Sequence, residues 1–187
     1  NAGSSWNPIF DNESSYSIGA ITIDTSNPNI VWVGTGENVG GRHVAYGDGI
    51  YKSMDGGKSW KNLGLKKSEH ISKIIVHPDN SDVVWVAVQG PLWSSGGERG
   101  LYKTTEDGGE TWKKLTNGIP KSNLGKIGIA ISYQKPDIIY AAIEEDRTKG
   151  GVYRSTDRGE SWKKMSNTVS GGTGPHYYQE LYTLSLI

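Results

Sequence analysis

The chain has 187 residues, no cysteine, and twenty basic side chains against twenty acidic ones. The balance leaves no field for nucleic acid or an anionic membrane, no apolar run approaches the ~18 residues of a membrane span, and without cysteine there are no disulfides or thiolate metal sites. Hydrophobic residues reach only 34%, yet 7 Trp, 10 Tyr and 26 Gly are present. Short strands with aromatic faces, joined by tight turns, account for this mixture; a disordered chain would lack the aromatics.

In chain order, Asn1-Ala2-Gly3-Ser4-Ser5-Trp6 leads into a predicted strand over Ser5–Phe10. The opening has no initiator Met and does not read as a signal peptide, so the sequence is expected to be cut from a longer one. Ile18–Ile23 is β-branched and reads as a strand, Asn27-Pro28-Asn29 as a turn, and Ile30–Val33 as a second strand. After a longer loop come Gly49-Ile50-Tyr51-Lys52-Ser53, the turn Asp55–Trp60, and a further strand over Ser59–Leu63.

The order then repeats. Ile71–Val76 and Leu124–Ile129 match the first strand, and Val83–Val86 and Ile138–Ala141 match the second. The Gly-apolar-Tyr-Lys strand recurs at Gly100 and Gly151, a period of 51 residues from Gly49. Four strands in a repeat of ~40–50 residues are the spacing of a propeller blade. The reading is all-β: a β-propeller as a partial ring of three complete four-stranded antiparallel blades, approximately 16–64, 70–116 and 123–166. Residues 1–12 are expected to give the last strand of a preceding blade, and residues 177–187 the first strand of the next. Three blades are too few for the usual ring. Closure falls to the remainder of the propeller or to self-association.

Each third strand runs into Asp-x-Gly-x-Ser/Thr-Trp: Asp55, Gly57 and Trp60; Asp107, Gly109 and Trp112; Asp157, Gly159 and Trp162. The carboxylate can accept turn amides and the Ser/Thr hydroxyl. The Gly can take positive φ, and the Trp covers apolar surface with its N–H expected at the wet rim. Three equal copies argue for scaffold residues rather than catalytic carboxylates or calcium ligands.

Meander geometry places the Pro/Asn turns and the Asp turns on one face of the disc, and the longer, unrepeated loops on the other. Binding chemistry belongs on variable loops over a rigid scaffold. Arg42, His43, Tyr46, Trp93, Arg99 and His70 are the candidate ligand-binding residues, with Glu37, Asp48 and Glu144 as weak catalytic candidates. Glu144, Glu145 and Asp146 also read as a solvated acidic run beside Arg147, and His70 as a satisfied polar group. The four His are too scattered for a metal site. No cofactor is indicated.

The runs Ser53-x-Asp55-x-Gly57-x-Ser59-Trp60 and Ser155-x-Asp157-x-Gly159-x-Ser161-Trp162 resemble the Asp-box (bacterial neuraminidase) repeats of sialidases, xyloglucanases, sortilin-type receptors and photosystem II assembly factors. With Val33-Gly34-Thr35-Gly36-Glu37-Asn38, Ser68-Glu69-His70-Ile71 and Gly90-Pro91-Leu92-Trp93, the chain is similar to large secreted bacterial proteins of the glycosyl hydrolase-like or sortilin N-terminal-like kind. The resemblance implies a seven-bladed parent, a secreted or periplasmic location, and a glycan or protein/peptide ligand on the loop face. A glycoside hydrolase of the xyloglucanase or sialidase type is the alternative; it would need two carboxyl groups facing one bond. The repeat is shared by enzymes, receptors and assembly factors, so it specifies fold more than activity.

Overall fold

The computed structural model describes residues 2–38, 44–104, 106–146, 149–168 and 181–183. Twelve strands among them form three four-stranded antiparallel meanders. The first blade holds β1 (Ile18–Ile23), β2 (Val31–Thr35), β3 (Ile50–Ser53) and β4 (Lys61–Asn62). The second holds β5 (Ile71–His77), β6 (Asn80–Val88), β7 (Gly100–Thr104) and β8 (Trp112–Lys114). The third holds β9 (Leu124–Ile131), β10 (Ile139–Glu145), β11 (Lys149–Ser155) and β12 (Lys163–Ser166). No helix among the described residues is long and apolar enough to cross a membrane.

The inner strands β1, β5 and β9 carry apolar residues at their first, fourth and sixth places: Ile18, Ile21, Ile23; Ile71, Ile74, Val76; Leu124, Ile127, Ile129. That spacing departs from the two-residue strand period, and a bulge repairs it. The register shifts between Ile18 and Ala20, between Ile71 and Lys73, and opposite Leu124 between Ile143 and Glu145. The extra residue turns all three apolar side chains to one face.

Core forms between blades. Trp32, Ile50 and Leu63 of the first blade interlock with Ile71, Ile74 and Val86 of the second. Trp85, Leu101 and Leu115 of the second do the same with Ile127, Ile129 and Ile143 of the third. Trp32 and Trp85 hold equivalent places and are both fully buried. Ser72 on β5 adds a hydroxyl bond to Ile127 O at 2.8 Å, and Thr22 on β1 one to Ile74 O at 2.8 Å.

In the first box turn, Asp55 Oδ1 accepts the Ser53 hydroxyl at 2.8 Å and the amides of Lys58 and Ser59 at 2.9 Å, while Oδ2 accepts the Ser59 hydroxyl at 2.6 Å. Asp157 repeats this with Ser155 and Ser161. Gly57, Gly109 and Gly159 sit at φ +88, +102 and +87, and a Cβ at Gly109 would stand 2.6 Å from the Trp32 ring. Both the conformation and the space demand glycine there. The second box carries the extra Glu106, held at φ +66. There the Thr104 hydroxyl turns away to Asp82 O at 2.6 Å, and Asp107 keeps Thr111 and the Gly109 amide.

Two expectations need correction. The box Trp N–H groups do not stay at a wet rim: Trp60 Nε1 donates to Ile9 O and Trp112 Nε1 to Leu63 O, both at 2.7 Å, and Trp162 Nε1 to Gly159 O at 2.9 Å. An indole N–H at a packed sheet edge finds a carbonyl in reach. Ser5–Phe10 is not a strand, since no third strand among the described residues lies beside it to form a ladder. Its Phe10 ring is nonetheless seated edge-on against Tyr51 and Trp60 at 5.1 Å. The expected strand near the other end, Tyr178–Leu184, lies mostly outside the described residues.

Candidate ligand-binding face

The two faces separate as the meander requires. Gly56 N reaches Asn29 O at 2.9 Å and Arg158 N reaches Asp137 O at 3.1 Å, tying each box to the β1–β2 or β9–β10 turn beside it. On the opposite face the β2–β3 loop meets the linker between blades, with Gly47 N on Glu69 O at 2.7 Å. Gly36 is required at this junction: its φ is +87, and a Cβ would stand 1.8 Å from Glu69 O.

Most of the charged candidates on this face brace it. Arg99, at the foot of the β6–β7 loop, is buried. Its Nη1 donates to Leu124 O at 2.6 Å, and its Nη2 donates to Pro91 O and to Ser94 O. One guanidinium therefore ties its own loop to the third blade. His70 is fully buried, with Nδ1 3.0 Å from Glu37 O and its ring 5.5 Å from that of Tyr46. Burial pushes the imidazole pKa down, and because a carbonyl can only accept, Nδ1 is the donor to Glu37 O. Both residues position loops rather than meet solvent.

The carboxylates divide similarly. Asp48 accepts the Tyr51 hydroxyl at 2.7 Å. Burial, and after it the bond to Asp48, raises the pKa of that phenol, the reverse of what a tyrosine nucleophile needs. Glu144 is buried and accepts the Lys126 amide at 2.9 Å. Glu37 alone is exposed, receiving the Ala45 amide at 3.3 Å. Glu37 and Asp48 belong to the first blade's loop and Glu144 to the third blade. Arg42, His43 and Arg147 lie outside the described residues.

Both aromatic candidates are presented to solvent: Tyr46 is 58% exposed and Trp93 64%. Beside the Trp93 loop, a cavity of about 350 Å³ opens between the second and third blades, lined by Gly96, Gly97, Lys114, Lys121, Ser122 and Asn123 among others. Lys114 lies over the Tyr102 ring at 5.9 Å, and burial pushes the Tyr102 pKa up to about 12. A second cavity of about 260 Å³ lies at the other end of the inner strands, among Ile23, Lys73, Ile129, Tyr133 and Tyr182. No three His, Asp or Glu side chains converge among the described residues.

Sequence reasoning missed Asn38, Ser72 and Lys126 as a linked set. Asn38 Nδ2 donates to Ser72 O at 3.1 Å and Lys126 Nζ donates to Asn38 O at 2.9 Å, joining three blades by side chains. The available signal was a lysine inside an apolar inner strand, repeated at Lys73 and Lys126.

Three meanders side by side, inner strands abutting and boxes on one rim, define an open arc of a β-propeller. Several solved structures share it. The GH74 enzyme of Niastella koreensis superposes with a TM-score of 0.66 at 21% identity, covering 88% of this chain and 25% of that one. The GH74 xyloglucanase of Xanthomonas campestris gives 0.62 at 22%, covering 80% and 21%. A chain of the nidogen/laminin complex gives 0.53 at 11%, covering 80% and 48%. The chain thus spans a quarter or less of these GH74 enzymes. No curated protein matches it. The chain belongs to the Sortilin-Vps10 family (Sortilin, neurotensin receptor 3), whose model matches residues 48–176.

Proposed function

We propose that this arc is a ligand-binding scaffold, taking a glycan or a protein/peptide segment on its loop face and working in a secreted or periplasmic setting. The observation that carries the reading is the contrast between Tyr46 and Trp93, which stand open to solvent, and the buried His70 and Arg99 that fix the loops beneath them. Rigid aromatic platforms on a braced backbone lose little entropy on binding. Lys114 and Lys121 beside the cavity favour a ligand bearing carboxylate or other anionic groups. The family and the nidogen-like fold neighbour include proteins named as a receptor and as a partner in a protein complex. The hydrolase reading is weaker, because Asp48 and Glu144 are spent on Tyr51 and the Lys126 amide.

A glycan array and a peptide library, run with a panel of chromogenic glycosides, test this on the 187-residue chain. Binding that fails in Trp93→Ala and survives Glu37→Gln supports the scaffold. Turnover that vanishes in Glu37→Gln or Asp48→Asn transfers the site to catalysis, and binding indifferent to Trp93 and Tyr46 ends the loop-face reading.

A further inference from the structure

In the second and third blades, the apolar residues at the first, fourth and sixth places of the inner strand press on the blade before them. In the first blade the same places carry Ile18, Ile21 and Ile23, behind the same bulge, and they are 40, 61 and 55% exposed. Their opposite face, Ala20 and Thr22, is packed or bonded toward the second blade. Identical patterning with inverted burial marks an interface whose other half is elsewhere.

Part of that other half is already seated. Ile9, Leu63 and Leu115 each follow a box Trp by three residues, and each lies against the next box glycine: Ile9 by Gly57, Leu63 by Gly109, Leu115 by Gly159. Ile9 and Leu63 also give their carbonyls to the next box Trp. Ahead of Ile9, Ala2 and Gly3 turn at φ +48 and +81, as Gly56 and Gly57 do at +72 and +88. Trp6 lies 3.5 Å from the Cβ site of Gly3, as Trp60 lies 3.4 Å from that of Gly57. Residues 2–10 therefore repeat a box and outer edge, down to the backbone, with no inner strand of that blade among the described residues.

We propose that Ile18, Ile21 and Ile23 form a blade–blade interface whose occupant is a three-stranded antiparallel sheet of this same repeat, with residues 5–10 of this chain as its fourth strand. By the two interfaces present, the occupant brings large apolar side chains at the second- and third-strand places held here by Trp32 and Ile50, and by Trp85 and Leu101. A second copy of the chain does not fit. The blade it would bring, the third, already carries β12, with Met165 where Ile9 sits, and two outer edges would claim one place.

The test is a fusion that places a copy of residues 16–54 directly ahead of Asn1, restoring Ser53-Met54 before the first box; a parallel fusion uses residues 123–156. Ile21→Asp is then compared in the fused and unfused chains. The expected result is a melting temperature within about 1 °C of the parent in the unfused chain, where the side chain is exposed, and a loss of about 5 °C or more in a fusion. Trp6 emission shifts to the blue in the fusion as the added sheet covers it. An equally small effect of Ile21→Asp in both fusions and the unfused chain overturns the proposal. So does light scattering that finds the unfused chain dimeric and Ile21→Asp making it monomeric, which would assign the face to a second copy.

Discussion

The box rim and the loop face use the same groups to opposite ends. On the rim, Asp55 and Asp157 turn both oxygens inward onto their own hairpins, and the arrangement recurs blade after blade. On the loop face, Arg99 and His70 also bond backbone carbonyls, but each fixes a loop found once. A repeated brace leaves a surface uniform, while a single brace leaves unlike loops standing on fixed footings. The second arrangement is what recognition requires.

The widest gap between the two regions should come from their tryptophans. Trp85→Ala empties a fully buried site between blades and is expected to cost about 3–5 kcal/mol in urea unfolding. Trp93→Ala should stay within about 0.5 kcal/mol while removing ligand. Next, Arg99→Met strips donors from the Pro91, Ser94 and Leu124 carbonyls. About 2–3 kcal/mol of stability should go with them, and limited proteolysis should cut within residues 91–98 first.

Asp157→Ala should cost about 1 kcal/mol at neutral pH. Burial opposes the charge there, but bonds from Ser161 and Ser155 outweigh it and hold the carboxyl below the usual range. Bonds from Ser59 and Ser53 do the same for Asp55. A depressed folded pKa gives stability that is complete above the unfolded value, about 3.9, and lost as pH falls below it. Acid unfolding of an Asp55→Asn, Asp157→Asn double variant should therefore be shallower below about pH 4. The smallest effect tests the irregular box: Glu106→Gly relieves a left-handed residue and should add about 0.5–1 kcal/mol, read in the same urea series.

The propeller was legible because its signals are local and repeated. Asp-x-Gly-x-Ser/Thr-Trp fixes a hairpin within six residues, and the 51-residue period aligns the strands around it. The bulges were hidden, since the departure from strand period in Ile18, Ile21 and Ile23 gains meaning only once a partner strand sets the register. The loop face was readable as a place, not as roles. Arg99 and His70 have the composition of binding residues, and only long-range contacts with Leu124 and Glu37 show them as braces. Asn38 and Lys126 stand 88 positions apart, a link that no local pattern carries.

The indole N–H of Trp60 and of Trp112 crosses a blade boundary, whereas that of Trp162 folds back onto its own turn. Under a load pulling the arc open along its circumference, the first two seams share the strain through a rivet at the rim. At the seam between the second and third blades the crossing indole is that of Trp85, on Arg158 O at 3.2 Å, and Lys103 and Lys113 grip Glu160 nearby, contacts that salt loosens. The mechanical strength of that seam should depend more on ionic conditions, with two such pairs, among the described residues, against the one between Lys61 and Glu110 at the seam of the first and second blades.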